Sequence, residues 1–262
     1  MIPCIPKTCP ACENPTLDAK GFGTEQIEEE VKVLFPDYKV ARMDLDTTRG
    51  KHGYQKIIGA FEAQEIDVLV GTQMLSKGLD FENVSLVGIL NADNMLNFPD
   101  FRAHERSYDM MVQVSGRAGR SKKQGNVAIQ TYNPYHQILQ QVSTTNYAEM
   151  YKEQLQERWQ YHYPPYYRLI KITLKHKDYI KVDSGINWLA KALQNVFREH
   201  VLGPTAPVVS RVRNQYIKNL TIKIPPKQNL AETKKQIEKI KNTFQSVKDF
   251  RPIRFIVDVD AQ

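Results

Sequence analysis

Cysteine is nearly absent from this chain of 262 residues: Cys4, Cys9 and Cys12 are its only three, all within the first twelve positions. A disulfide framework spreads its cysteines across the fold, so this chain is not built on one. No apolar run approaches the ~18 residues that span a bilayer. The opening MIPCIPKTCPACENP has no apolar core of a secretory signal. These absences predict a cytoplasmic protein with no membrane segment. A phosphate loop of the form G-x-x-x-x-G-K-[ST] is missing too; Gly50-Lys51-His52 is the nearest imitation and lacks the first glycine and the Ser/Thr. Nor does any apolar strand end in an Asp-Glu pair able to hold Mg²⁺. The chain therefore lacks the groups that grip a nucleoside triphosphate.

The charge that is present is unevenly placed. The formal net charge is +7, yet residues 1–145 carry 15 Lys+Arg against 18 Asp+Glu, and residues 146–262 carry 21 against 11. A basic second half points to an anionic partner, nucleic acid being the commonest, although lysines also serve only to solvate a surface.

Hydrophobic periodicity divides the chain. Residues 1–16, rich in Pro and Cys, read as the end of a small metal-binding module. Thr24 is placed to cap a helix over 24–35 with Ile27, Val31 and Leu34 as its buried stripe. Strands are predicted over 38–44, 67–72, 84–93 and 125–132, the middle two apolar enough to be buried on both faces. Helices fall over 54–63 (Ile57, Ile58 and Phe61 inward), 104–118 and 135–142. This alternation predicts an α/β lobe with a parallel sheet over 17–145. A polar connecting helix over 146–162 ends at Tyr163-Pro164-Pro165-Tyr166, so 146–166 reads as a boundary. Beyond it, 167–262 has the order βαββαβ: strands 168–176, 207–213, 216–224 and 253–259, with helices 183–200 and 230–247. That order is a ferredoxin-like α+β domain.

Two segments carry chemistry. In Gln113-Val114-Ser115-Gly116-Arg117-Ala118-Gly119-Arg120, residues 113, 116, 117 and 120 share one face of a helix. That face presents two planar guanidiniums beside a carboxamide, a donor set suited to phosphate oxygens that gain charge during phosphoryl transfer. The competing reading is two surface arginines favourable to a helix C-terminus. The second segment, Gly71-Thr72-Gln73-Met74-Leu75-Ser76-Lys77-Gly78-Leu79-Asp80, follows a strand, and the C-terminal ends of open α/β strands are where ligands bind. Backbone amides, the Thr72 hydroxyl and Lys77 suit a phosphate; Asp80 can orient an arginine. The competing reading is an ordinary βα turn.

Taken together, these segments resemble motifs V and VI of superfamily 2 helicases. The closer resemblance is to the family of primosomal replication-restart DNA helicases. It rests also on Thr8-Cys9-Pro10-Ala11-Cys12, Gly21-Phe22-Gly23-Thr24-Glu25, Met43-Asp44-Leu45-Asp46-Thr47-Thr48, Asn97-Phe98-Pro99-Asp100-Phe101-Arg102-Ala103-His104-Glu105-Arg106 and Tyr163-Pro164-Pro165-Tyr166. The resemblance implies that residues 17–145 are the second RecA-like lobe. It implies that Gln113, Arg117 and Arg120 reach ATP/Mg²⁺ held by a first lobe absent here, and that Gly71, Thr72, Gln73, Lys77, Gly78, Asp80, Thr24 and Glu25 couple nucleotide state to DNA. The chain is accordingly expected to be a fragment, inactive alone. Cys9 and Cys12 have zinc-knuckle spacing. The resemblance makes them the last pair of a two-zinc insertion, with Zn²⁺ completed by upstream ligands; Cys4 departs from the spacing.

In the basic half, Arg211, Arg213, Lys218 and Lys223 lie on adjacent predicted strands, and Arg213, Tyr216 and Lys218 flank a turn. A basic strand pair with an aromatic can hold a DNA backbone or a stacked base; a solvated sheet face is the competing reading. The family often carries an arginine near Lys218, so part of a family site is altered here. The expected partners are single-stranded and forked DNA and, by resemblance, primosome proteins and single-stranded-DNA-binding protein. Two alternatives remain: a non-enzymatic nucleic-acid-binding module with a remnant motor fold, and an RNA helicase of the same superfamily.

Overall fold

The computed structural model describes residues 23–44, 46–48, 53–72, 83–118 and 125–260, and the chain divides into two compact units at 146/147. The expected zinc-binding end, residues 1–16, lies outside the described residues.

In the first unit, β1 (Val40–Met43) pairs in parallel with β2 (Val68–Gly71), and β3 (Leu86–Ile89) in parallel with β4 (Asn126–Ile129). Parallel pairing agrees with the α/β alternation. Among the described residues the strands form two two-stranded sheets, order β1-β2 and β3-β4. The middle strands are not buried on both faces: β2 is half-buried throughout, and Leu86 on β3 is 62% exposed. A strand at the edge of a two-stranded sheet keeps one side open, so its apolar run is only half used. Helix α1 (Thr24–Leu34) precedes β1, and α2 (Gly53–Glu62) links β1 to β2. The α2 residues Ile57, Ile58 and Phe61 pack on Met43, which is fully buried, as their spacing predicts. The stripe expected on α1 is weaker. Ile27 and Val31 are half-buried, but Leu34 is 70% exposed because the helix ends with it. Thr24 does not cap α1 either; Gly23 occupies the N-cap and makes no side-chain hydrogen bond.

Residues 92–93 belong to no strand. Asn91, at φ 54°, accepts from the Asn94 amide and starts α3 (Ala92–Leu96). Asn tolerates the left-handed region, so a strand can turn into a helix there without glycine. Helix α4 (Ala103–Ser115) buries Ala103, Ser107, Tyr108 and Met111 and meets α5 (Gln137–Ser143).

The second unit opens with α6 (Tyr147–Gln160), followed by β5 (Arg168–His176), α7 (Tyr179–Phe197), β6 (Val201–Thr205), β7 (Arg211–Val212), β8 (Gln215–Ile224), α8 (Leu230–Ser246) and β9 (Arg254–Val259). The sheet order is β6-β8-β5-β9, every neighbour antiparallel, with β7 also on β8. Ile170, Ile172 and Leu174 of β5 and Leu220, Ile222 and Ile224 of β8 face one side, as period-2 alternation requires. Val182, Ile186, Leu189, Leu193 and Phe197 of α7, with Ile237 and Phe244 of α8, complete this core. The strand expected over 207–213 is instead β6 at 201–205 plus a two-residue β7. Gly203 and Pro204 disguise β6 in the sequence. They sit at a register shift between Leu202 and Thr205, and β6 is the sheet's edge, where a strand proline is tolerated. Gly203 has φ +103°, and a Cβ there would stand 3.0 Å from the Asn219 carbonyl oxygen, so glycine is required.

Phe244 is fully buried and stacks on Phe250 at 4.9 Å, with Phe255 and Trp188 at 5.6 and 5.8 Å. Removing its ring leaves a cavity that four elements cannot close. We expect Phe244→Ala to destabilise the second unit by about 3–5 kcal/mol. Denaturant titration followed by tryptophan fluorescence measures this, and a loss below ~1 kcal/mol would contradict this account of the core.

Candidate functional site

The first-unit site begins with a threonine and an aspartate twenty residues apart. The Thr24 hydroxyl donates to Asp44 Oδ2 at 2.8 Å. Asp44 Oδ1 accepts from the Asp46 and Thr47 amides at 2.9 and 3.0 Å. The Asp44 amide donates to Thr47 Oγ1, and the Thr47 and Thr48 hydroxyls donate to the Asp44 carbonyl. Arg42 lies 3.4 Å from both Asp44 and Glu28 and 3.8 Å from Glu25. The start of α1 is thus pinned to the C-terminal end of β1. Two phrases read separately in the sequence, Gly23-Thr24-Glu25 and Asp44 to Thr48, form one polar knot. The Thr47 amide, then the Thr24 hydroxyl, hold the Asp44 carboxyl down at about 2, below the usual carboxylate range.

The register Met43↔Gly71 sets the end of β2 beside this knot. Gly71, half-buried, ends β2, and Thr72, exposed, follows it out of the sheet at the end where Asp44 turns. Gln73, Lys77, Gly78 and Asp80 continue from there but lie outside the described residues. A hydroxyl at an open parallel-strand end can donate to a phosphate oxygen.

On the other strand pair, Asp93 accepts from the Thr131 hydroxyl and the Tyr132 amide, both at 3.0 Å, tying α3 to the end of β4. Asp100 accepts from the Arg102 amide at 2.8 Å and pairs with Arg106 at 3.1 Å, which shapes the entry to α4. Near the start of α4 the His104 ring meets the His136 ring at 5.4 Å. Burial, then His104, push His136 below its ordinary value, against the pull of Asp93.

The far end of α4 corrects the expected helical face. The helix stops at Ser115, Gly116 caps it, and the Arg117 and Ala118 amides bond back to Val114 and Ser115, in the i→i+3 pattern. A tighter turn rotates each residue by about 120° rather than 100°. Gln113 and Arg117 therefore lie further apart around the axis than α-helical spacing gives. Gln113 is exposed and Arg117 half-buried, so Arg117 is less free of the fold than helical spacing suggests. Arg120 lies outside the described residues, as do Cys9 and Cys12. Among the described residues, no group of three or more His, Cys, Asp and Glu could hold a metal. None of the described helices is long and apolar enough to cross a membrane.

In the second unit Arg211, Tyr216 and Lys218 come together. The Arg211 guanidinium lies 4.8 Å over the Tyr216 ring and donates to Asn214. Tyr216 meets Tyr179 edge to face at 5.5 Å, and the Lys218 ammonium lies 5.2 Å from the centre of the Tyr179 ring. Lys218 also donates to Asp183 in an ion pair; that hydrogen bond, more than the pull of neighbouring charge, raises it above the ordinary lysine value. Arg213 and Asn214 form the two-residue turn between β7 and β8, both at positive φ (49° and 61°). The turn is one residue earlier than expected.

Lys223 is not part of this group. It pairs in register with Leu169, whereas Lys218 pairs with Leu174. Odd and even positions of a strand face opposite ways, so the two lysines sit on opposite sides of the sheet. Lys223 lies 3.7 Å over the Tyr163 ring and donates to the Tyr161 carbonyl, anchoring the segment after α6. The sequence reading also missed Tyr179 and Asp183 as neighbours of Lys218. Its helix began at 183, whereas Asp178 caps α7 by accepting from the Ile180 and Lys181 amides. An aspartate ahead of an amphipathic run was the available signal.

Comparison with known proteins gives matches over both units. Residues 20–122 match the helicase conserved C-terminal domain and residues 159–262 the primosomal protein N C-terminal domain. The chain is 40% identical over 235 residues to the replication restart protein PriA of Bacillus subtilis (strain 168), 89% of this chain and 29% of that protein. It is 41% identical to that of Treponema pallidum (strain Nichols) over 84% of this chain and 34% of that protein. With the protein from Haemophilus influenzae (strain ATCC 51907 / DSM 11121 / KW20 / Rd) it shares 36% identity over 98% of this chain and 35% of that protein. The chain thus spans about a third of the length of these relatives, and the similarity is to their C-terminal part.

The knot predicts a pH signature. A carboxyl held low in the fold contributes stability that is fully present above its unfolded value of ~3.9 and lost as pH falls through about 2. We expect Asp44→Asn to cost about 1–3 kcal/mol of first-unit stability at pH 7, with the gap to the parent closing between about pH 4 and 2. Denaturation across that range tests it; a gap independent of pH would remove the carboxylate from the account.

Proposed function

We infer that this chain, which belongs to the PriA family over its two matched domains, is the C-terminal part of an ATP-dependent DNA helicase that restarts replication. One observation carries this reading. The Thr24–Asp44 knot and the end of β2 lie side by side at one end of the parallel pair, and residues 73–80 follow β2 in sequence. In this reading that strand end, beside the start of α1, transmits movement between nucleotide and DNA. In this reading the first unit is the second RecA-like lobe, with Thr24, Glu25, Gly71, Thr72, Gln73, Lys77, Gly78 and Asp80 as its coupling residues.

Gln113, Arg117 and Arg120 act on ATP/Mg²⁺ held by a first lobe that precedes this stretch. Their guanidiniums offset the charge that develops on the transferring phosphoryl group. Arg117, half-buried past the end of α4, is held by the fold rather than sweeping freely, which suits a group that must be pre-positioned. Cys9 and Cys12 contribute two thiolates to a zinc completed by other ligands. The order β6-β8-β5-β9, all antiparallel, supports a ferredoxin-like second unit. Its positive charge supports binding of single-stranded and forked DNA at the group formed by Arg211, Arg213, Tyr216 and Lys218. Primosome proteins and single-stranded-DNA-binding protein are the further partners, in the cytoplasm.

Three measurements test this reading. In the full-length protein, Arg117→Ala or Arg120→Ala should lower kcat for ATP by about 10³–10⁵ with DNA binding nearly intact, and lysine should not rescue either. Near-parental turnover in both alanine variants would end the arginine assignment, whereas absence of ATP turnover in the full-length parent would favour a non-enzymatic nucleic-acid-binding module with a remnant motor fold. The present chain alone should show no DNA-stimulated phosphate release. It should still bind single strands with affinity that falls steeply as salt rises; salt-independent binding would contradict the phosphate contacts.

A further inference from the structure

The sequence places Arg211, Arg213, Tyr216 and Lys218 together as one basic set, but the structure gives them unequal work. Lys218 has its charge engaged by Asp183, and its ammonium lies against the Tyr179 ring. Tyr216 is half-buried, with the Arg211 guanidinium over it. Tyr179 differs from both: it opens α7, is 50% exposed, and is braced by Tyr216 at its side and Lys218 nearby. An exposed ring held on two sides has already lost most of its rotamer freedom, which lowers the cost of stacking something on it. The surroundings are cationic. Arg211 and Arg213 stand on the adjoining hairpin and Lys177 flanks the ring in sequence. The two nearby carboxylates are occupied, Asp178 by the α7 amides and Asp183 by Lys218.

We propose that Tyr179 is a base-stacking platform for single-stranded nucleic acid, with Arg211 and Arg213 taking the flanking phosphates and Lys218 serving to position the ring. This rests on the DNA-binding reading above and goes further in naming the unpaired base as the group recognised. A duplex keeps its base faces stacked on one another, so an exposed tyrosine face gains nothing from it; a single strand offers a π-face at every nucleotide. Lys218 is therefore not a phosphate contact, because its charge is already spent within the fold.

The test uses the whole chain and two probes of equal length and charge, an oligo(dT) strand and an abasic strand, in anisotropy titrations at several salt concentrations. The parent chain should prefer oligo(dT) by roughly 5- to 150-fold, the range that stacking one base supplies. Tyr179→Ala should abolish the preference, and Tyr179→Phe should keep it. Arg213→Gln should lower the logarithmic salt slope by about one, whereas Lys218→Met should weaken oligo(dT) binding without changing that slope. Equal affinity of the parent for both strands, or an unchanged preference in a folded Tyr179→Ala, overturns the platform. A Lys218→Met slope that falls like that of Arg213→Gln overturns its positioning role. Absence of binding to either strand overturns the DNA-binding reading together with the platform, and so is distinct from the failure of stacking alone.

Discussion

The Asp44 carboxylate accepts from a threonine hydroxyl and two backbone amides and faces one guanidinium. Through those contacts the first turn of α1, the end of β1 and the turn leading toward α2 become one piece. None of the partners is apolar, and α1 has no fully buried residue of its own. Its attachment depends on polar contacts more than on area removed from water. A helix held this way can be re-aimed by a change at one strand end, since few buried side chains must repack. This attachment also places the Gly23-Thr24-Glu25 phrase in a structural role that its sequence position does not announce.

The second unit is held on a different principle. β5 and β8 pair along nine consecutive positions, from Arg168↔Ile224 to His176↔Tyr216. Their shared inward face meets α7 and α8 over a continuous apolar core. Such a core specifies one register, because a one-residue slip would turn every inward side chain to the other face. The same alternation decides the fate of the charges: Lys218 falls beside Tyr179 and Asp183, Lys223 against Tyr163. Rigidity here supports the exposed end of the sheet, where the hairpin and the start of α7 carry aromatic and cationic groups.

Much of this architecture was legible in the chain itself. Strong periodicity located α2, α7, α8, β5 and β8, with Ile57, Ile58 and Phe61 inward, because burial of a helix stripe or strand face leaves a repeating mark. The strand β6 left no such mark. Gly203 and Pro204 break its pattern, and an edge strand with a register shift needs little apolar content. The strand-to-helix turn at Asn91 was also hidden, since a left-handed asparagine requires no glycine to announce it.

Residue types and their order determined by themselves the α/β character of the first unit, the two long helices and the longest strands of the second, the missing phosphate loop and the family. These are properties of neighbours along the chain, where spacing alone carries the information. What the tertiary structure alone decided is which distant side chains meet: Thr24 with Asp44, Lys218 with Tyr179 and Asp183, Lys223 with Tyr163. It also decided that Arg117 follows the end of α4 in a tighter turn. Those outcomes depend on strand register, on pleat direction and on where a helix stops. Each is set by packing between segments far apart in sequence, which no local pattern records.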